Sequence, residues 1–124
     1  MTLEDDFGDG RALLDQLMAI IRRDGLMDLL GGLNEVGADD VTTSWMGRGP
    51  NLPIAADQVA DALGRSRSQE VADALGVTAA QAAAGVARLL PAVVDHLTPD
   101  GRYPDHAELA AADLSGLDVA ALLR

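Results

Sequence analysis

His96, with Asp95 before it and Asp100 four residues on, is the grouping in this chain with most capacity for chemistry, because an imidazole beside carboxylates can move a proton or hold a metal. A hydrolase or metal-dependent enzyme would be built on these three residues. His106, beside Asp105, is the other histidine. A structural account of His96 competes and is preferred: it falls at the end of a helical stripe, where a cationic side chain complements the helix dipole. Ser44, Ser66, Ser68 and Ser115 lack the Gly-x-Ser-x-Gly elbow of an acyl-transfer nucleophile. Asp5-x-Phe7-x-Asp9-Gly10 resembles a calcium loop only in part, with Phe7 at its third position and Gln16 at its twelfth. Gly8-x-Gly10 and Gly47-x-Gly49 meet Leu13 and Leu52 where a dinucleotide fingerprint needs its third glycine. No catalytic, cofactor-binding or metal-ligating residue is assigned, and no cofactor is expected.

A second grouping surrounds Trp45, the single tryptophan. Arg48 is framed by Gly47 and Gly49 and followed by Pro50-Asn51, so it is a candidate to receive a carboxylate from a ligand or a neighbouring subunit. A solvated loop arginine, with Asn51 capping its own turn, is the simpler account. Trp45, Arg48, Pro50 and Asn51 are the candidate interaction residues, and Trp45 is read first as a core anchor.

Composition narrows what such groups can serve. A chain of 124 residues suits one domain with one modest core. Its formal charge of -11 repels a phosphate backbone, so nucleic acid is a poor partner. All nine basic residues are arginine and there is no cysteine, which removes disulfides and thiolate metal sites and suits a reducing compartment. Glu4, Asp5, Asp6 and Asp9 occupy the place where a secretory signal needs basic and then apolar residues. The least charged window, Ala79 to Val94, is too short to span a bilayer. A cytoplasmic protein without membrane insertion is expected.

The groups must be positioned by helices. Leu13, Leu14, Leu17, Met18 and Ile21 share one helical face, with Asp9 as its expected N-cap and Gly25 as its end. Leu26 to Leu33 continues as a short apolar helix that Gly31-Gly32 is expected to bend or break. Asp39 to Met46 reads as a third helix with Val41 and Trp45 on one face. The connector Gly47 to Pro53, with two prolines, cannot continue it. Ala56 to Leu63 is expected to stop at Gly64 in a left-handed conformation. Its Val59-Ala-Asp-Ala-Leu-Gly64 recurs twelve residues later as Val71 to Gly76, which predicts two similar short helices. Thr78 and Gln81 form a capping-box pattern that opens the longest helix. Its stripe Ala82, Val86, Leu89, Leu90, Val93, Val94 and Leu97 keeps phase across Pro91, so one kinked helix is expected. Thr98-Pro-Asp-Gly101 reads as a type I turn. Asp105 and Glu108 start a further helix, and Leu114, Leu117, Ala121 and Leu122 give its end an apolar face that docks on the core or binds a partner.

The fold class is therefore all-α: a single small domain of about six to seven short helices packed around one longer kinked C-terminal helix. Residues 1–9 form an acidic segment, 10–104 the helical domain and 105–124 a helical tail.

Val41-Thr-Thr-Ser-Trp45, Gly47-x-Gly49-Pro-Asn51, Ile54, Gln58, Ala62-Leu63-Gly64, Leu75-Gly76-Val77 and Leu89-Leu-Pro-x-Val-Val-Asp95-x-Leu-Thr-Pro-Asp-Gly101 together resemble the YidB-like family, a bacterial domain of unknown function. The resemblance covers roughly Leu13 to Tyr103 and implies an all-helical fold with no established catalytic residues. Ala55-Ala56 stands where many relatives have Ser-Pro, so that helix is expected to start loosely.

The leading functional expectation is a non-enzymatic interaction or assembly protein that meets a protein partner or copies of itself. The His96 enzyme is the first alternative. A helix-turn-helix formed by Ser66 to Gly76 and Thr78 to Leu90, with Arg65, Arg67 and Arg88 as its nearby bases, is the second and is disfavoured by the acidity.

Overall fold

Apolar residues at helical spacing, punctuated by glycine, set the order of elements. The computed structural model describes residues 6–8, 10–47, 50–99 and 101–123. Among these there are seven α-helices and no strand: α1 (Arg11–Asp24), α2 (Leu26–Glu35), α3 (Asp39–Met46), α4 (Ala56–Leu75), α5 (Ala79–Leu97), α6 (His106–Ala111) and α7 (Val119–Leu123). The all-α class holds.

α5 is the centre of the fold. Thr78 accepts from the Gln81 amide at 3.1 Å while Gln81 accepts from the Thr78 amide at 2.8 Å, so two donors at the helix start are satisfied reciprocally. The whole expected stripe from Ala82 to Leu97 is buried, and the helix continues unbroken through Pro91. Ala83 and Gly85 are buried on another side, while Gln81, Ala84, Arg88, Pro91, Ala92 and Asp95 leave one face half-buried or exposed. A Cβ on Gly85 would lie 2.6 Å from Phe7 Cε2 and 2.7 Å from Leu13 Cδ2, so any larger residue would push these two side chains aside.

α4 and α5 pack most extensively on each other, and α1 and α2 pack against α4. Gly64 divides α4 into two helical stretches: its φ of 79° and ψ of 165° are open to glycine and closed to other residues. The expected stop is thus a break between two stretches, with an extended rather than left-handed ψ. The twin Val-Leu pattern does what its spacing implies, because Val59, Leu63 and Val71 are buried and Leu75 packs against the core.

Three expectations are corrected. α2 continues through Gly31-Gly32, and Gly32 serves close packing: a Cβ there would sit 3.1 Å from the Ala62 carbonyl oxygen of α4, whereas one on Gly31 would meet open space. Gly10, at φ 78°, holds the N-cap position of α1, and Asp9 lies outside the described residues. In the tail, Val119 and Leu123 are buried with Leu114, whereas Ala121 is exposed and Leu117 and Leu122 are half-buried. The start of α4 keeps half of a capping box, since Gln58 accepts from the Ala55 amide at 3.4 Å and alanine has no acceptor to return. Asp57 accepts the Gln58 amide instead, at 3.0 Å.

No single helix is long and apolar enough to cross a membrane among the described residues; α4 and α5 together have the length and composition but meet at 94°.

Candidate functional site

The connector between α3 and α4 is fixed at Leu52. Ser44 donates to the Val41 carbonyl at 2.6 Å, which orients its hydroxyl, and that oxygen accepts the Leu52 amide at 2.9 Å. Trp45 Nε1 donates to the Leu52 carbonyl at 2.8 Å. Both backbone polar groups of Leu52 are thereby satisfied by neighbouring side chains of α3. One residue earlier, the Asn51 amide donates to the Pro91 carbonyl at 3.2 Å and ties the connector to the middle of α5. Each bond of this kind contributes about 1 kcal/mol net. Together they determine a backbone that has no helix or sheet to hold it.

Trp45 is 0% exposed, so the ring is a core anchor and its one polar atom is spent on the connector. Pro50 is exposed and Asn51 is half-buried. Asn51 reaches across to α5 rather than capping its own turn. Arg48 lies outside the described residues.

The turn that follows α5 backs onto the end of α3. Thr98, buried, donates to the Val94 carbonyl at 2.7 Å, and the Gly101 amide closes the turn onto the Thr98 carbonyl at 2.9 Å. Gly101 has φ of 72° and approaches α3 so closely that a Cβ would stand 3.0 Å from the Met46 carbonyl oxygen. Both demands are met by glycine alone.

Holding Leu52 in this way leaves it 46% exposed, and among the described residues Met27 is the other large apolar residue on the surface. Leu52 forms one rim of a cleft of about 460 Å³, whose other walls come from Ile54, Ala87, Arg88, Pro91 and Leu122. The cleft is thus shared by the connector, the exposed side of α5 and the last helix. Arg88 is exposed and, with Arg65, is an arginine without a hydrogen-bond or ion-pair partner among the described residues. Among the described residues no acidic side chain lines the cleft.

The histidines are elsewhere. His96 Nε2 lies 3.0 Å from the Asp113 carbonyl oxygen. A carbonyl can only accept, so Nε2 carries the proton and is occupied in holding the tail. Asp95 and His106 are exposed, and Asp100 lies outside the described residues. Among the described residues no three His, Cys, Asp or Glu side chains gather to hold a metal. Ser68 is buried with its hydroxyl unpaired, and no histidine or carboxylate is bonded to it.

The tail is held in the same manner as by His96. Arg11 donates to the carbonyls of Leu114, Ser115 and Leu117, at 3.3, 3.3 and 2.8 Å. Arg22 donates to those of Leu109 and Ala112, at 3.0 and 3.1 Å, near the C-terminal end of α6. At the start of α6, Asp105 and Glu108 form a full capping box, and Arg102 pairs with Glu108 at 2.9 Å. That guanidinium, with the Asp105 amide, holds the Glu108 carboxyl down at about 2. Asp113 is also held below the usual carboxylate range, chiefly by the Ser115 amide.

An all-helical domain with a side-chain-bolted connector is the class these features define. The chain belongs to the YidB-like protein family, whose model matches residues 8–106. A solved structure that it resembles is that of a homeodomain-like protein of unknown function from Shigella flexneri, with a TM-score of 0.71 and 25% identity, covering 88% of this chain and 84% of that one. No curated protein sequence matches.

Proposed function

We propose that this chain is a non-enzymatic interaction protein, which offers the face built by the connector and the middle of α5 to a partner protein or to copies of itself. The observation that supports this is Leu52: its backbone is fixed on both sides and its apolar side chain is kept in solvent. A preorganised apolar rim lowers the ordering cost of association. The His96 enzyme has less to support it, since the ring nitrogen is taken by the tail.

The test is retention of proteins from the native cell by the wild-type chain and by Leu52→Asp, together with light scattering across micromolar to millimolar concentration. A species or self-complex lost on the substitution, with helical content unchanged, is expected. Retention and mass that are indifferent to Leu52→Asp would contradict the reading.

A helix-turn-helix reading has two observations in its favour. α4 and α5 meet at 94° across a three-residue turn, within the usual range for that motif, and the similar Shigella protein is called homeodomain-like. Against it, α5 exposes Ala80, Arg88, Asp95 and His96 and has a single arginine, too few cations to grip phosphates. Absence of salt-dependent DNA retardation is the expected result.

A further inference from the structure

We infer that the cleft between Leu52 and Leu122 receives a segment of a partner protein that places an Asp or Glu beside Leu-sized side chains, with the carboxylate on Arg88. The inference rests on the interaction reading above and names the chemistry that the surface selects.

Charge decides the occupant. The chain carries -11 overall and its acidic residues outnumber its arginines by about two to one, so an arginine readily finds a carboxylate. Arg23, Arg67 and Arg102 each do, and Arg11 and Arg22 are satisfied by the tail. Among the described residues Arg65 and Arg88 do not, and of these two Arg88 is the one on the cleft, where it follows buried Ala87 and precedes the buried pair Leu89-Leu90. The walls around it supply Leu, Ile, Ala and Pro and no anion. A guanidinium beside low-dielectric walls attracts a carboxylate more strongly than one in open water, and its fork donates to both oxygens. The apolar walls meanwhile take the neighbouring side chains of the same segment.

A second copy of this chain is a poorer occupant. Two molecules of -11 repel on approach, whereas a short segment brings only one or two carboxylates. Rigid placement of Leu52 by Ser44 and Trp45, and of Asn51 by Pro91, keeps the cleft formed before a ligand arrives.

The experiment is an amide NMR titration of the full chain with two blocked peptides, acetyl-Leu-Glu-Leu-Leu-amide and acetyl-Leu-Gln-Leu-Leu-amide. Shifts centred on Leu52, Ile54, Arg88 and Leu122, with the Glu peptide about ten-fold tighter, are expected. In Arg88→Gln, which alters an exposed side chain, the two peptides should become equal while thermal unfolding is unchanged. Equal affinity for both peptides on the wild-type chain would overturn the carboxylate assignment and leave the interaction reading standing. Shifts elsewhere, or none, would overturn the cleft itself. Concentration-dependent shifts at the same residues without peptide, with a dimer in light scattering, would give the cleft to a second copy and overturn the inference.

Discussion

The connector and the tail are both irregular segments bonded to the helical core, yet opposite partners provide the specificity. In the connector, Ser44, Trp45 and Asn51 belong to the sequence motif itself and bond to Leu52 and Pro91. In the tail, Arg11, Arg22 and His96 of the core reach out to backbone carbonyls of residues 109–117. A carbonyl is present in every residue, so this grip places little demand on the tail sequence. The family match ends at residue 106, where α6 begins. The tail helices, of six and five residues, are also too short to persist alone and depend on docking.

Trp45→Ala should break the comparison most severely. It removes the largest buried side chain and the donor to Leu52, at about 3–5 kcal/mol, and should unfold the whole chain at lower urea with a single transition. A transition confined to the connector would contradict its place in the core. Arg11→Ala with Arg22→Ala should act more locally, removing five part-exposed bonds to the tail at about 0.5 kcal/mol each and so costing about 2–3 kcal/mol. Amides of residues 109–123 should then exchange much faster while those of α5 change little; uniform acceleration through α5 would show that the tail is part of the core.

The difference also explains what was legible. The first three helices, the two stretches of α4, and α5 follow from apolar spacing, the Thr78–Gln81 box and glycine punctuation, and the Asp105–Glu108 box marks the start of α6. The single tail helix expected there is instead two, α6 and α7, parted by residues 112–118. The connector reads as a fixed shape because Trp45, Pro50 and Asn51 are unusual residues placed close together. How it is fixed does not, since the bond from Trp45 to Leu52 and that from Asn51 to Pro91 need the fold to bring acceptors near. Gly31-Gly32 reads as a break because propensity counts the entropy of glycine and is blind to the Ala62 carbonyl lying against it. Arg88 reads as one base on an unlikely DNA-binding helix. Its signal, a lone cation inside an apolar stripe, gains meaning only when Leu52 and Leu122 close around it.

Smaller perturbations sharpen the contrast. Ser44→Ala and Asn51→Ala should each cost about 1 kcal/mol in urea denaturation. Combined with Trp45→Phe, Ser44→Ala should be non-additive, because both side chains act on Leu52, whereas either should add independently to Arg22→Ala. Additivity within the connector would mean that its bonds form separately. The smallest effect concerns pH. Glu108 titrates at about 2 in the folded chain against an ordinary 4.5, so its contribution is complete above the ordinary value and is lost as pH falls through the folded one. Side-chain carboxyl NMR should give that low midpoint in the wild type and a midpoint near the ordinary range in Arg102→Gln; an ordinary midpoint in the wild type would mean that the ion pair does not hold α6.

The most direct measurement is hydrogen exchange at the indole of Trp45, which gives a single resonance. If the connector is bolted into the core, this proton exchanges as slowly as the buried amides of α5, and the amides of Val119 to Leu123 exchange faster. An indole proton that exchanges as fast as the tail would contradict the account.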